Sequence, residues 1–471
     1  MSLKKGDQLK LKIETLAFGG RGVARADGMV IFVDGALPGQ QVVARIVRAR
    51  KAYAEARRTA ILEESPEKVT ARCPHFGDCG GCLFQNLDYA AQLKYKRLQV
   101  IESLQHLGGF EHPSVLEALA SPEQFYYRNK MEFSFGDQRW LPRAEIGQPS
   151  LSKPKNFALG LHARGRFDKI LDLEECYLQS AQSMEIVKFA REEVLQSGIP
   201  PYSTRDHSGF WRHLVIREGK NTGDTMVNIV TAAGEEFYDD LEKIGRRLSQ
   251  KFPAVTTIVH NINRRKAQVA FGDDERVLFG QGVIKERIGH RVFQISANSF
   301  FQTNSNGAKV LYDKVIEFAD LQAQELVYDL YAGAGTISLY VADRVQQVIA
   351  FEMVEAAVRD AERNLLLNGA ENCRFVVGDL RNTLAAHSAE RRPDTIIIDP
   401  PRAGMHAEVV EAVLQLRPQK IVYVSCNPTT FARDAKILCQ DHYTVKVVQP
   451  VDMFPHTAHI EVVGLLISNE V

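Results

Sequence analysis

The 471-residue chain is 45% hydrophobic and 25% charged, with 58 basic and 58 acidic side chains, a composition suited to a packed protein of two to three domains. It has no apolar run long enough for a transmembrane helix, about 20 residues, and its start, MSLKKGDQLK, has no apolar signal-peptide core. Neither a membrane-spanning helix nor a signal peptide is expected, and the cytoplasm is the expected compartment.

The neutral total hides a segregation. Residues 1–60 carry twelve bases against five acids, so the remainder carries the compensating negative excess. Such a split points to a polyanion-binding module joined to a near-neutral enzyme. Residues 8–62 alternate apolar and polar residues between turn signals at Gly19-Gly20, Asp27-Gly28 and Pro38-Gly39. This pattern predicts a small OB-like β-barrel over residues 1–64, a shape that binds single-stranded nucleic acid on a basic face.

Seven cysteines in a cytoplasmic chain do not make a disulfide framework. Three crowd into the loop Cys73-Pro-His-Phe-Gly-Asp-Cys79-Gly-Gly-Cys82, and with the distant Cys176 they suit either an iron–sulfur cluster or zinc. The spacing is not the CxxxCxxC of radical enzymes. A basic helix is predicted over YAAQLKYKRLQVIESLQHLG. An α+β central domain, 65–285, follows from the strand-like MEFSFG, HLVIREG, DTMVNIVTA and TTIVHNIN, with a helix near 180–196.

From about residue 300 helices alternate with short apolar strands, and residues 286–471 are predicted to form a parallel sheet covered on both faces. Ligands bind at the carboxyl ends of such strands. The first ends in the Gly-rich Asp329-Leu330-Tyr331-Ala332-Gly333-Ala334-Gly335-Thr336, the second at Glu352, placed to accept ribose hydroxyls, and the third at Asp379, facing an adenine. The fourth ends in Asp399-Pro400-Pro401-Arg402, a rigid floor for a flat base, which favours adenosylmethionine over NAD. The fifth ends in Ser425-Cys426-Asn427-Pro428. This sets a thiol at the ligand face, where it can add to carbon 6 of a uracil and make carbon 5 nucleophilic. Glu461, between apolar residues on a late strand, is the candidate base, ahead of His456 and His459.

Five segments, SFFQTN (299–304), DLYAGAGT (329–336), DPPRAG (399–404), SCNP (425–428) and PHTAHIEVV (455–463), resemble the RNA uridine-5 methyltransferase family over nearly the whole chain. The basic barrel looks like the TRAM module of such enzymes. The resemblance implies a Rossmann-like class I methyltransferase domain, Cys426 as nucleophile, Glu461 as base, and Gln302, Tyr331, Thr336, Glu352, Asp379 and Asp399 around S-adenosyl-L-methionine. Thr336 and Asp379 are departures, standing where asparagine occurs among relatives. It further implies that Cys73, Cys79, Cys82 and Cys176 hold a 4Fe–4S cluster, as in the ribosomal branch, with no open iron and hence a structural or RNA-organising role. The expected substrate is a flipped-out uridine of 23S ribosomal RNA, with transfer RNA as the alternative and a non-catalytic RNA-folding factor as the alternative of another class. Lys94-Tyr95-Lys96-Arg97 and Tyr126-Tyr127-Arg128-Asn129-Lys130 are expected to hold phosphates and bases, and the chain is expected to act as a monomer.

Overall fold

The computed structural model describes residues 3–151, 153–388 and 391–470. The basic N-terminal segment folds into Gln8–Lys12 (β1), Thr15–Leu16 (β2), Gly22–Ala26 (β3), Met29–Asp34 (β4), Gln41–Ala49 (β5) and Tyr53–Glu63 (β6). These form one barrel-like sheet, ordered β1-β5-β6-β4-β3-β2, around Leu11, Ile13, Ile31, Val33, Val42 and Ile46. Alternation along each strand sends these apolar residues inward and leaves the bases outside.

The cysteine loop leads into Tyr89–Ser103 (α1), which starts where the Asp88 carboxylate accepts hydrogen bonds from the backbone amides of Ala90 and Ala91. A mixed sheet follows, built from Lys130–Gly136 (β7), Ala158–His162 (β8), Ile170–Asp172 (β9), Trp211–Glu218 (β10), Thr225–Thr231 (β11), Val255–Ile262 (β12) and Asp274–Phe279 (β13). Its order is β13-β12-β11-β10-β7-β8-β9, and Ala181–Ser197 (α2) and Tyr238–Lys251 (α3) pack against it through Met184, Val187, Leu241, Ile244 and Leu248.

The hairpin Val283–Ile288 (β14) and Arg291–Ser296 (β15) connects to Ser305–Ala319 (α4) and the third sheet. That sheet comprises Leu326–Leu330 (β16), Gln347–Glu352 (β17), Cys373–Val377 (β18), Thr395–Ile398 (β19), Lys420–Ser425 (β20), Tyr443–Val451 (β21) and Glu461–Ser468 (β22), in the order β18-β17-β16-β19-β20-β22-β21. The five strands β16 to β20 run parallel, while β22 pairs antiparallel with both β20 and β21. A reversed strand slotted next to the last parallel one is the class I methyltransferase arrangement, one strand pair richer than the parallel sheet expected from the sequence.

The interleaved helices are Thr336–Val341 (α5), Glu355–Asn368 (α6), Leu380–Ser388 (α7), Ala407–Leu416 (α8) and Pro428–Leu438 (α9). Period-two alternation splits each strand between two cores: Tyr328, Ile396 and Tyr423 pack toward α8 and α9, whereas Val327, Ile397 and Val422 pack toward α4 and α5. Val100 and Leu104 join the first of these cores, so α1 packs on the third sheet although more than two hundred residues separate them.

Candidate active site

At the end of β16 the chain turns sharply, with Tyr331, Gly333 and Gly335 at φ of 65°, 56° and 75°. A Cβ on Gly335 would stand 2.6 Å from the Phe375 ring, while one on Gly333 would meet nothing within 4 Å, because that residue faces an open cleft. The Glu352 carboxylate at the end of β17 fixes this turn, accepting from the Gly333 amide at 2.9 Å and the Val354 amide at 2.8 Å. The cleft, about 930 Å³, is lined by Tyr331, Gly333, Glu352, Asp379 and Asp399. Asp379 is gripped there by the Arg381 guanidinium, which holds its carboxyl down at about 2.

A second cavity of about 440 Å³ holds Gln302, Thr336, Arg402, Cys426 and Glu461, and it shares Tyr331, Gly333, Asp399 and Pro401 with the first. The two are one continuous hollow. Several polar contacts build its walls. The Asn129 amide donates to the Gln302 carbonyl at 2.8 Å, and Asn304 caps α4 while donating to the Met453 carbonyl at 2.8 Å. The Thr336 hydroxyl contacts that of Tyr312 at 3.0 Å. Asn427 ties two loops together: its Oδ1 caps α9 by accepting from the Thr429 amide, and its Nδ2 donates to the Arg402 carbonyl at 3.0 Å. Pro428 follows at the first helical position, where its missing amide proton costs nothing. Across the sheet, Ser425 pairs with Val462, which sets Glu461 level with Cys426.

The electrostatics are those of acids held out of water. Burial pushes the Asp399 carboxyl up to about 6, and burial together with Asp399 pushes Glu461 well above its ordinary value, against the opposing charges of Arg402 and Lys96. Asp329, also fully buried, is raised to about 7 although its Oδ2 accepts a 2.5 Å hydrogen bond from Ser338. Burial, Glu461 and Asp399 raise the Cys426 thiol to about 11, and Arg402 is the cation that counters them.

The sequence-predicted residues divide. Cys426, Glu461, Gln302, Tyr331, Thr336, Glu352, Asp379 and Asp399 all line the joint hollow, as do Arg128 and His459. His456 does not line it: buried at φ 65°, it stacks on Phe125 at 4.5 Å, contacts Gln92 at 3.2 Å and is pushed down to about 4 by burial. Within the Lys94–Arg97 segment, Lys96 is corrected as a phosphate contact, while Lys94 stays exposed. Lys96 is buried against Asp452 at 2.6 Å, Arg97 donates to the Val115 and Leu116 carbonyls, and Lys94 and Tyr95 bond to Glu67. Tyr127 and Asn129 are likewise buried. Sequence reasoning gave no role to Arg402, Phe300 or Phe454, which also line the second cavity. Nothing in SFFQTN by itself singles out Phe300; that it is 72% exposed at the rim of the cavity is visible only in the structure.

Cys73, Cys79, Cys82 and Cys176 line one narrow cavity with the apolar Phe76, Leu161, Leu173 and Leu178. The Gly81 amide points at the Cys79 sulfur (3.4 Å) and the Gln85 side chain at the Cys82 sulfur (3.2 Å), hydrogen bonds that suit sulfur in its thiolate form. Burial pushes the Cys79 and Cys82 thiols up to about 12, and among the described residues no group of three or more His, Cys, Asp or Glu side chains is arranged to hold a metal ion. Four thiols facing one cavity are nevertheless the donor type that a thiolate-bound cluster takes.

Comparison with known proteins agrees with this geometry. The family model described as tRNA (Uracil-5-)-methyltransferase matches residues 235–470, and the TRAM domain model matches residues 3–58. An uncharacterized RNA methyltransferase of Chlorobaculum tepidum is 43% identical, covering 98% of this chain and 96% of its own length. Another from Nitratidesulfovibrio vulgaris is 41% identical, covering 99% and 97%. The crystal structure of Pyrococcus abyssi tRNA (uracil-54, C5)-methyltransferase, in complex with S-adenosyl-L-homocysteine, superposes with a TM-score of 0.75 at 31% identity, covering 98% of this chain and 100% of that one. The chain is an RNA methyltransferase of the tRNA (uracil-5-)-methyltransferase family, with an N-terminal TRAM domain.

Proposed function

We propose that the chain methylates carbon 5 of a uridine in 23S ribosomal RNA, with Cys426 as nucleophile and Glu461 as base. The observation that carries this reading is that both side chains open into one cavity, continuous with the glycine-and-acid cleft. S-Adenosyl-L-methionine supplies an electrophilic methyl group when bound. Its fit is supported by two buried polar atoms without partners on the wall of the hollow, Asp329 Oδ1 and the Tyr331 hydroxyl, and by the open space at Gly333. Glu352 and Asp379 would take its ribose and adenine; Gln302, Tyr331, Thr336 and Asp399 would surround the remainder.

With its proton released to solvent, the Cys426 sulfur bonds to carbon 6 of the uracil, and the displaced electron pair makes carbon 5 the nucleophile. Once carbon 5 carries the methyl group, Glu461 removes its proton, the double bond re-forms and the sulfur leaves. The raised Glu461 carboxyl is suited to accepting a proton near neutrality. Arg402 stabilises the sulfur as an anion against the two neighbouring acids. Trapping with 5-fluorouridine RNA and adenosylmethionine tests the mechanism: the wild type should give a denaturation-stable complex that Cys426→Ala abolishes. No complex from the wild type would sink it.

Cys73, Cys79, Cys82 and Cys176 would hold a 4Fe–4S cluster, which would cross-link the 73–82 loop to the segment after β9. Anaerobic purification should give iron and sulfide in cluster ratio, and stoichiometric zinc would refute the assignment. Transfer RNA is the second reading, favoured by the full-length likeness to the Pyrococcus abyssi enzyme. Mapping 5-methyluridine in total RNA with and without the gene decides between them. No described helix is long and apolar enough to cross a membrane, and a cytoplasmic monomer accords with this reading.

A further inference from the structure

Beside the four thiols and outside both cavities, three rings and a guanidinium form a cup. The Arg72 Cζ lies 4.2 Å from the Tyr177 centroid and 5.2 Å from those of Phe125 and Tyr126, and its Nη2 donates to the Tyr126 hydroxyl at 3.1 Å. Tyr126 and Tyr177 meet edge to face at 5.9 Å, as do Phe125 and Tyr177 at 6.3 Å. Arg72 and Tyr126 are both exposed. Among the described residues no ion pair to Arg72 is seen, and its guanidinium is held by the rings and the tyrosine hydroxyls.

The cup is fixed to the active site. The Tyr126 and Arg128 amides donate to the Tyr177 and Leu178 carbonyls, pairing the two segments, and Tyr126 is held at φ 59°, a conformation a tyrosine rarely adopts. Arg128, two residues on, lines the cavity of Cys426. Phe125 stacks on His456, in the loop that leads to Glu461. Arg72 and Tyr177 each adjoin a cysteine of the four-thiol cavity, Cys73 and Cys176.

We infer that Arg72, Tyr126 and Tyr177 seat one unpaired nucleotide of the RNA, a near neighbour of the target uridine. A guanidinium backed by rings offers a flat cationic face on which any base can stack, and a base within a stem has no free face to give it. Glu175, which accepts from the Tyr177 hydroxyl at 2.5 Å, repels phosphate on that rim, so the strand would enter from the Tyr126 side. The inference rests on the chain acting on a uridine in RNA.

The test uses the full chain with its thiol-bound group in place and an RNA fragment carrying the uridine found by mapping, with an abasic nucleotide placed in turn at each flanking position. In the wild type one position should weaken binding about 5- to 100-fold, the range of one stacked base. Arg72→Ala and Tyr126→Ala should weaken intact RNA comparably without adding to the abasic loss, whereas Tyr126→Phe should keep the affinity. 2-Aminopurine at the sensitive position should be quenched by the wild type and not by Arg72→Ala. Abasic RNAs that all bind the wild type within about twofold of intact RNA would overturn the inference. So would an abasic loss that adds in full to that of Arg72→Ala. The 5-fluorouridine adduct of the wild type on intact RNA reports separately: if it forms while the abasic scan is flat, only the nucleotide seat fails.

Discussion

Replacing Lys96 by methionine tests how α1 supports the loop that leads to Glu461. Lys96 is 3% exposed and Asp452 0%, and their atoms meet at 2.6 Å. The Asp452 Oδ1 also accepts from the Phe454 amide at 3.0 Å, while its Oδ2 has no partner among the described residues. Removing the ammonium therefore leaves a carboxylate inside the protein with only the Phe454 amide and the Tyr89 hydroxyl beside it. Breaking a buried pair from one side costs about 3–5 kcal/mol, because the remaining charge keeps its desolvation penalty and loses its compensation. Removing both charges with Lys96→Met/Asp452→Leu should recover most of that loss. Urea unfolding followed by circular dichroism measures the stabilities, and single-turnover methylation of the same proteins shows whether the loop still holds Glu461. A Lys96→Met protein within about 1 kcal/mol of wild type, or a double variant as unstable as the summed singles, would refute the reasoning.

The other expectations concern the site. Glu461 accepts a proton only when ionised, and its carboxyl is held above the ordinary value, so with ordinary uridine RNA wild-type breakdown of the methylated adduct should slow as pH falls through that raised value. Glu461→Gln should still form the methylated adduct and release it slowly with no such pH dependence; release at the wild-type rate would remove Glu461 from the role. Asn427→Ala removes the α9 cap, a loss of about 1 kcal/mol, and also frees the Arg402 carbonyl. Separately from that loss of stability, freeing the loop that carries Arg402 should lower the single-turnover rate about tenfold, about 1.4 kcal/mol of barrier, and an unchanged rate would refute the role of the tie.

Much of the hollow was legible because each parallel strand ends at the same face, so reading strand ends in order collects Gly333, Glu352, Asp379, Asp399 and Cys426 without knowing a single contact. Where the chemistry depends on pairing across long separations the sequence was silent. EVVGLLIS is as continuously apolar as a parallel strand, and nothing local in it says that it runs backwards between β20 and β21. The α1 helix read as a basic RNA-facing surface because of its Lys94-Tyr95-Lys96-Arg97 run, yet Lys96 is buried, as are Gln92 and Gln99. Their burial depends on partners such as Asp452, 356 residues away, which no window along the chain contains. His456 misled for the same reason, its neighbours Gln92 and Phe125 being remote in sequence. The amphipathic α3 left a clearer trace, with Leu241, Ile244 and Leu248 at helical spacing, but adjoining strand-like runs masked it.

The reversed position of β22 also has a consequence for the order of assembly. Until that strand inserts, β20 is an open edge whose apolar KIVYV run can pair with any other free strand, and β21 is held only by the 114–119 segment on its other side. Only its arrival brings Glu461 level with Cys426. Closure of the sheet and completion of the proposed catalytic pair are thus one event. A chain arrested before it would carry Cys426 beside an open edge with no base next to it, so no complete site forms ahead of the closed sheet.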